Sequence, residues 1–204
     1  MPSDRYGHPM RIGLISDTHV PEAPELWPQI HDAFRGVDAI LHAGDIYDLG
    51  VLDSLAEIAP LYACRGNGDD GSSGRPRQPD HPCLRDHWLV ELGGVTIALT
   101  HWVPVPERPS VLGLRGAIDR HFGVDVVPDV VVHGDTHVED IRVVRDILCV
   151  NPGSPTFPHN LTYRFGTVAF LDIDEHGEVE AEIRMLTDDG HDVFDWEYWG
   201  RRPW

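Results

Sequence analysis

The sequence predicts an α/β fold with partly parallel sheets, and three observations carry that expectation. From Arg11 to Cys64, short apolar runs alternate with helically spaced ones, the strand–helix–strand rhythm of parallel β-structure. Metal-capable side chains directly follow five of the apolar runs, where ligands gather at the carboxyl ends of strands. Twenty glycines and 17 prolines call for many turns, which argues against a helical bundle. A chain of 204 residues is long enough for one core. Residues 1–204 are therefore read as a single domain with an aromatic tail over about 190–204.

Arg11 to Ser16 is a short apolar run ending at Asp17 and reads as a buried strand. Pro24 to Phe34 carries Leu26, Ile30 and Phe34 at helical spacing, and Ala39 to His42 is a second strand. Leu49 to Ile58 is a helix, followed by a strand at Leu61 to Cys64. Asp69 to Pro82 is turn chemistry without periodicity. Trp88 to Leu92 and Val95 to Leu99, joined by Gly93-Gly94, form a hairpin. A helix is expected within Pro109 to Phe122, then strands at Val126 to Val132, Ile141 to Val144 and Ile147 to Val150. Tyr163 to Ile173 and Glu178 to Met185 make another hairpin around Asp174 to Gly177.

The net charge is −18, from 16 basic and 34 acidic side chains, so polyanions are repelled and nucleic acid is not an expected partner. Cys64, Cys83 and Cys149 are odd in number and widely spaced, which suits a reducing compartment better than a disulfide framework. Residues Met1 to Arg11 lack an apolar signal core and no run approaches a membrane span. The expectation is a cytoplasmic protein without membrane contact. The tail from Trp196 to Trp204 is aromatic; it either docks on the chain's own surface or makes a homodimer contact.

The chemistry lies at the strand ends. Asp17-Thr18-His19 follows the first strand, Gly44-Asp45 the second and Gly66-Asn67-Gly68-Asp69 the third. Thr100-His101 ends the first hairpin, and His133-Gly134-Asp135-Thr136-His137 ends the next strand. Acids gathered in one place need a compensating positive charge, which a pair of cations supplies. Carboxylate, imidazole and amide donors without thiolate suit manganese, iron, zinc or similar ions. Singly, each segment also reads as structure: Asp45 as a helix cap, Asn67-Gly68 as a turn.

Together, Asp17-x-His19, Gly44-Asp45, Gly66-Asn67-x-Asp69, His101 and Gly134-x-Thr136-His137 resemble the ordered motifs of the calcineurin-like metallophosphoesterases. Asn151-Pro152-Gly153-Ser154 further resembles a segment of the small bacterial phosphodiesterase branch. The resemblance implies a four-layer sandwich of two mixed β-sheets flanked by helices. It implies one metal on Asp17, His19, Asp45 and His137, and a second on Asp45, Asn67, His101 and Asp135. Asp45 would bridge, and a hydroxide between the ions would attack in line. The cofactors it implies are two divalent ions, manganese first, with nickel, iron, zinc or magnesium as alternatives. The substrate is a small phosphate ester, a diester before a monoester. Asn67 and Asp69 are the catalytic candidates beyond metal binding, and for Asp69 ordering a water and capping a turn both stay open.

The chain departs from that pattern at two places. Asp135 stands where the family usually has His, which adds negative charge and shifts the second site toward manganese or magnesium; His133 could substitute for it, or the second site could be weak. Gly68 stands where relatives carry His or Cys, and without a general acid about 10²–10⁴-fold is lost, favouring aryl esters. Trp102 would narrow the mouth, and Arg65, Arg75 and Arg77 could hold phosphate or be ordinary surface residues. His42, just before Gly44-Asp45, is the remaining histidine nearest the site. A catalytically weak scaffold on the same fold, of the kind a eukaryotic sorting-complex subunit provides, is the competing function.

Overall fold

The computed structural model describes residues 8–20, 26–103, 105–161 and 163–197. Within them, residues that are apolar on both faces of a strand end up at the centre of two mixed sheets. The first sheet has seven strands: β1 (Met10–Ile15), β2 (Ala39–His42), β3 (Leu61–Cys64), β4 (Leu84–Arg85), β10 (Thr167–Ile173), β11 (Val179–Thr187) and β12 (Gly190–Val193). Their order is β12-β11-β10-β1-β2-β3-β4. β1 to β4 run parallel, while β10 returns antiparallel to β1 and leads into the β11 and β12 meander.

The second sheet is β5 (Trp88–Leu92), β6 (Val95–Leu99), β7 (Val130–Val132), β8 (Asp140–Val144) and β9 (Ile147–Asn151), in the order β5-β6-β7-β9-β8. Alternate residues divide its two faces. Ile97, Leu99, Val130, Val132 and Val150 meet Ile12, Leu14, Leu41 and Leu171 of the first sheet. Ala98, Val131 and Cys149 point the other way, onto Leu114, Ala117 and Ile118 of helix α3 (Leu114–His121). Helices α1 (Pro28–Ala33) and α2 (Leu49–Ala56) cover the outer face of the first sheet, where Ile30, Phe34, Leu52 and Leu55 pack on Val168 and Phe170. The four layers expected from the motifs are therefore present. Phe34 is fully buried edge-on to Phe170, so Phe34→Ala would cost about 3–5 kcal/mol.

Several boundaries differ from the sequence reading, each for a local reason. Helix α1 begins at Pro28, a residue suited to a first turn; residues 24–25 of the expected helix lie outside the described residues. The expected strand from Val126 shrinks to Val130–Val132, because Val126 closes a turn on Gly123 and Val127 is exposed. The strand expected from Tyr163 starts at Thr167, since Arg164 and Gly166 bond to Thr156 and Pro155 instead of to a neighbouring strand. Strands β4 and β12 were not expected; one is two residues long and the other is the polar run Gly-His-Asp-Val. Of the aromatic tail, Trp196 packs on the buried Phe194, and 198–204 lie outside the described residues. Among the described residues, no helix is long and apolar enough to cross a membrane.

Candidate metal centre

The carboxyl ends of β1, β2, β3, β6 and β7 meet along one edge of the two sheets, and the loops leaving them carry the polar residues. The backbone there is unusual. Asp17 (φ 53°), His19 (45°), Asp45 (56°), Tyr47 (69°), Asp135 (72°) and His137 (58°) all lie in the left-handed region, at about 1 kcal/mol or more each for a side-chain-bearing residue. Hydrogen bonds hold them there. Asp17 N donates to Gly44 O (2.8 Å), His19 N to Asp45 O (3.2 Å) and Gly134 N to His101 O (3.0 Å). Ser154 Oγ donates to Asp17 O (2.7 Å), Thr156 Oγ1 to Thr18 O, and Asn151 Nδ2 to Gly134 O (3.0 Å). The Asn151–Ser154 segment is thus a brace for the loops at Asp17 and Gly134. At Gly44 (φ 96°) an added Cβ would lie 2.7 Å from His101 Nδ1 and 2.8 Å from Gly66 N, so the crossing admits glycine alone.

These loops bring donor atoms together without pairing them off. Asp17, His19 and His137 form one group and Asp17, Asp45 and His101 a second, each with its donor atoms within 4.8 Å of one another. His137 Nε2 is 3.5 Å from Asp17 Oδ1, a buried oxygen that has no hydrogen-bond partner. The two oxygens of Asp45 face different ways: Oδ2 toward His19 Nε2 (3.2 Å), Oδ1 toward His101 Nε2 (3.5 Å). Asp135 Oδ1 lies 3.6 Å from His101 Nε2, and Asn67 Oδ1 3.1 Å from it.

The outer hydrogen bonds fix which ring nitrogen faces the centre. His101 Nδ1 donates to the Ala43 carbonyl (2.7 Å) and His137 Nδ1 to the Phe157 carbonyl (2.8 Å). In a neutral imidazole the remaining Nε2 is then a lone pair. His101 Nε2 and Asn67 Oδ1 are in that state two acceptors face to face, a contact that a proton or a cation between them makes favourable. The donor set, with its anchored rings and the orphaned Asp17 oxygen, fits divalent cations.

Protonation follows the same charges. Burial opposes charge on His19, but the carboxylates of Asp17 and Asp45 outweigh it and raise the imidazole to about 9. Burial would raise Asp45; His19, His101 and the Gly68 amide bring it down to about 2. His101 is raised by Asp17 and Asp45 against its burial, and Asp135 is raised chiefly by burial.

Other candidate residues sort out by their partners. Asp69 is fully buried and accepts from Ile46 N (3.0 Å), Tyr47 N (2.9 Å) and Gly66 N (3.0 Å), which matches the turn cap of its two expected roles. His42 Nδ1 accepts from Gly44 N (3.1 Å), and its Nε2 faces Thr18 Oγ1 (3.2 Å); burial lowers it to about 3, and it props the loop as a neutral ring. His133 is buried, lowered by burial to about 4, and joins neither donor group. Arg65 is buried and ties the 78–86 segment through Gln78 O, Pro79 O, Asp80 and Asp86. Tyr47 went unnoticed in the sequence. A Cβ at Gly68 would lie 2.0 Å from its Cε1, so the phenol ring occupies the space that a side chain at 68 would take. That ring lies 4.3 Å from the His19 ring and 3.8 Å from the Arg75 guanidinium, and burial followed by Asp45 pushes its hydroxyl up to about 12. The glycine itself was the available signal.

Known proteins resemble this chain in sequence and in fold. Residues 10–176 match the model of the calcineurin-like phosphoesterase superfamily domain. A probable metallophosphoesterase of Methanocaldococcus jannaschii is 39% identical over 153 residues, 74% of this chain and 71% of that protein. A phosphodiesterase of the same archaeon is 27% identical over 155 residues, 71% of this chain and 83% of its own. Both relatives are archaeal, so the resemblance holds for the superfamily and the bacterial branch is not carried forward. Vacuolar protein sorting 29 of Cryptosporidium parvum shares the fold, with a TM-score of 0.69 and 21% identity over 92% of this chain and 97% of that one. From residue 10 to residue 176, over the second sheet, the first sheet as far as β10 and the loops that carry the donor atoms, the chain belongs to the calcineurin-like phosphoesterase superfamily.

Proposed function

We propose that this protein is a metal-dependent phosphodiesterase with a dinuclear centre, acting on a small phosphate ester. The observation that carries the reading is Asp45, whose two oxygens face imidazoles on opposite sides, His19 and His101. In this reading Asp17, His19, Asp45 and His137 hold one ion, and Asp45, Asn67, His101 and Asp135 hold the other. A pair of divalent cations supplies an activated water at neutral pH and neutralises the phosphate oxygens. The protein fixes the donors: Ala43 and Phe157 aim the imidazoles, Asp69 clamps the Ile46–Tyr47 turn, and Asn151 and Ser154 brace the loops. Asp135 adds a hard oxygen donor, which favours manganese or magnesium on its side. The phosphodiesterase relative supports the choice of diester over monoester, and the free cysteines, two of them buried, support a cytoplasmic setting.

The test is hydrolysis of bis-p-nitrophenyl phosphate by chelator-stripped protein with manganese, nickel, zinc, iron(II) or magnesium restored singly. Turnover that depends on the added metal, strongest with manganese, is expected. Two ions bound per chain without turnover under any metal would overturn the enzyme reading and leave the scaffold.

A further inference from the structure

A cleft of about 490 Å³ opens beside the candidate ligand His101. Three guanidiniums, Arg65, Arg77 and Arg120, line it against two carboxylates, Asp70 and Asp86. In a chain of net charge −18 a lining in excess of positive charge is out of keeping with the whole. Asp86 pairs with both Arg65 (3.2 Å) and Arg77 (2.8 Å), and Asp80, outside the lining, also pairs with Arg65 (3.1 Å). Arg120 is held differently: it donates to the carbonyl of Val111 (2.8 Å) and lies 5.1 Å over the ring of Trp102. Among the described residues no carboxylate pairs with it. A carbonyl and an indole face orient a guanidinium without cancelling its charge. The planar fork of an arginine so placed matches a phosphate through two parallel hydrogen bonds.

We propose that this cleft is a subsite for a second phosphate, so that the substrate is a small phosphodiester one of whose ester groups carries a further phosphate. The assignment rests on the phosphodiesterase reading, because it places the scissile phosphorus at the candidate metal centre and one ester substituent in the cleft beside His101. The volume falls within the range of small-molecule pockets and admits a substituent of nucleotide size.

Two chromogenic substrates isolate the subsite: the p-nitrophenyl esters of thymidine 5′-monophosphate with a 3′-phosphate and with a free 3′-hydroxyl. Both release nitrophenolate, so their ratio of kcat/KM reports the added phosphate alone. The ester bearing the phosphate is expected to be preferred by about tenfold or more, and Arg120→Ala is expected to remove the preference. Because the readout is a ratio within each variant, a general loss of activity cancels. Equal kcat/KM for the two esters in the unmodified protein, or a preference that survives Arg120→Ala, overturns the subsite and leaves the phosphodiesterase standing. If no diester is hydrolysed, the phosphodiesterase reading fails, and calorimetry on the metal-free protein with thymidine 3′,5′-bisphosphate decides the subsite. Binding weakened about tenfold by Arg120→Ala supports it, and absence of binding overturns it.

Discussion

The Asp17–His19–His137 side of the centre and the His101–Asp135 side are built by one rule and end in different surroundings. On the first side every donor residue is buried, and Asp17 is fully so. On the second, the Asp135 side chain is 27% exposed, Asn67 is exposed, and the cleft with Trp102 and Arg120 begins at His101. One imidazole on each side, His137 and His101, is anchored through Nδ1 on a carbonyl. What differs is access and charge. On the proposed reading, the inner side would suit an ion that stays, and the outer side one that meets substrate and exchanges.

Three experiments would break or sharpen that contrast. The largest effect belongs to Asp45, whose two oxygens face His19 and His101. Asp45→Ala is expected to lower kcat/KM on bis-p-nitrophenyl phosphate by about 10³-fold or more, and metal counting should show both ions lost. Retention of a full ion on the outer side would show that the two sides do not depend on a shared carboxylate. Next is Asp135→Asn, which touches the outer side alone. Calorimetric titration should show one ion bound roughly 10–100-fold more weakly and the other unchanged, whereas equal weakening of both would erase the distinction.

The smallest effect is a pH dependence of the metal-free protein. His19 is raised from 6.5 to about 9, so its protonated pairing with Asp17 and Asp45 contributes stability that is complete below its unfolded value. That contribution is lost as pH rises through the folded value. The Tm of chelator-treated protein should fall between about pH 6.5 and pH 9, and the fall should shrink once an ion replaces the proton. A Tm unaffected by pH in the metal-free protein would remove His19 from the inner side's electrostatics.

Most of the centre is legible in the sequence because it is built at strand ends. Asp17, Asp45 and Asn67 each follow an apolar run that ends in sheet, and sheet geometry brings those ends to one edge. The strands read well where apolar on both faces, as at Ile12–Ile15 and Val130–Val132. They read poorly at β12, where pairing with β11 keeps a polar edge in register. What could not be read depends on contacts between distant segments. Trp102 meets Arg120 only because α3 packs on the outer face of the second sheet, and Tyr47 fills the space over Gly68 only because both loops converge on Asp45. His42 and His133 illustrate the converse. Both sit at strand ends beside candidate ligands, yet their buried rings join neither donor group.

The left-handed turns at Asp17, His19, Asp45, Asp135 and His137 bear on how quickly the protein can be charged with metal. Their shape is held by backbone amides and by Ser154, Thr156 and Asn151, none of which requires an ion. On the proposed reading, loading is expected to need little rearrangement of donors held in this way, unlike the coupled folding of a zinc finger. Its rate should scale with free metal and show little dependence on denaturant well below the unfolding transition. On the proposed reading, a change in metal supply alone would then change the resident ion.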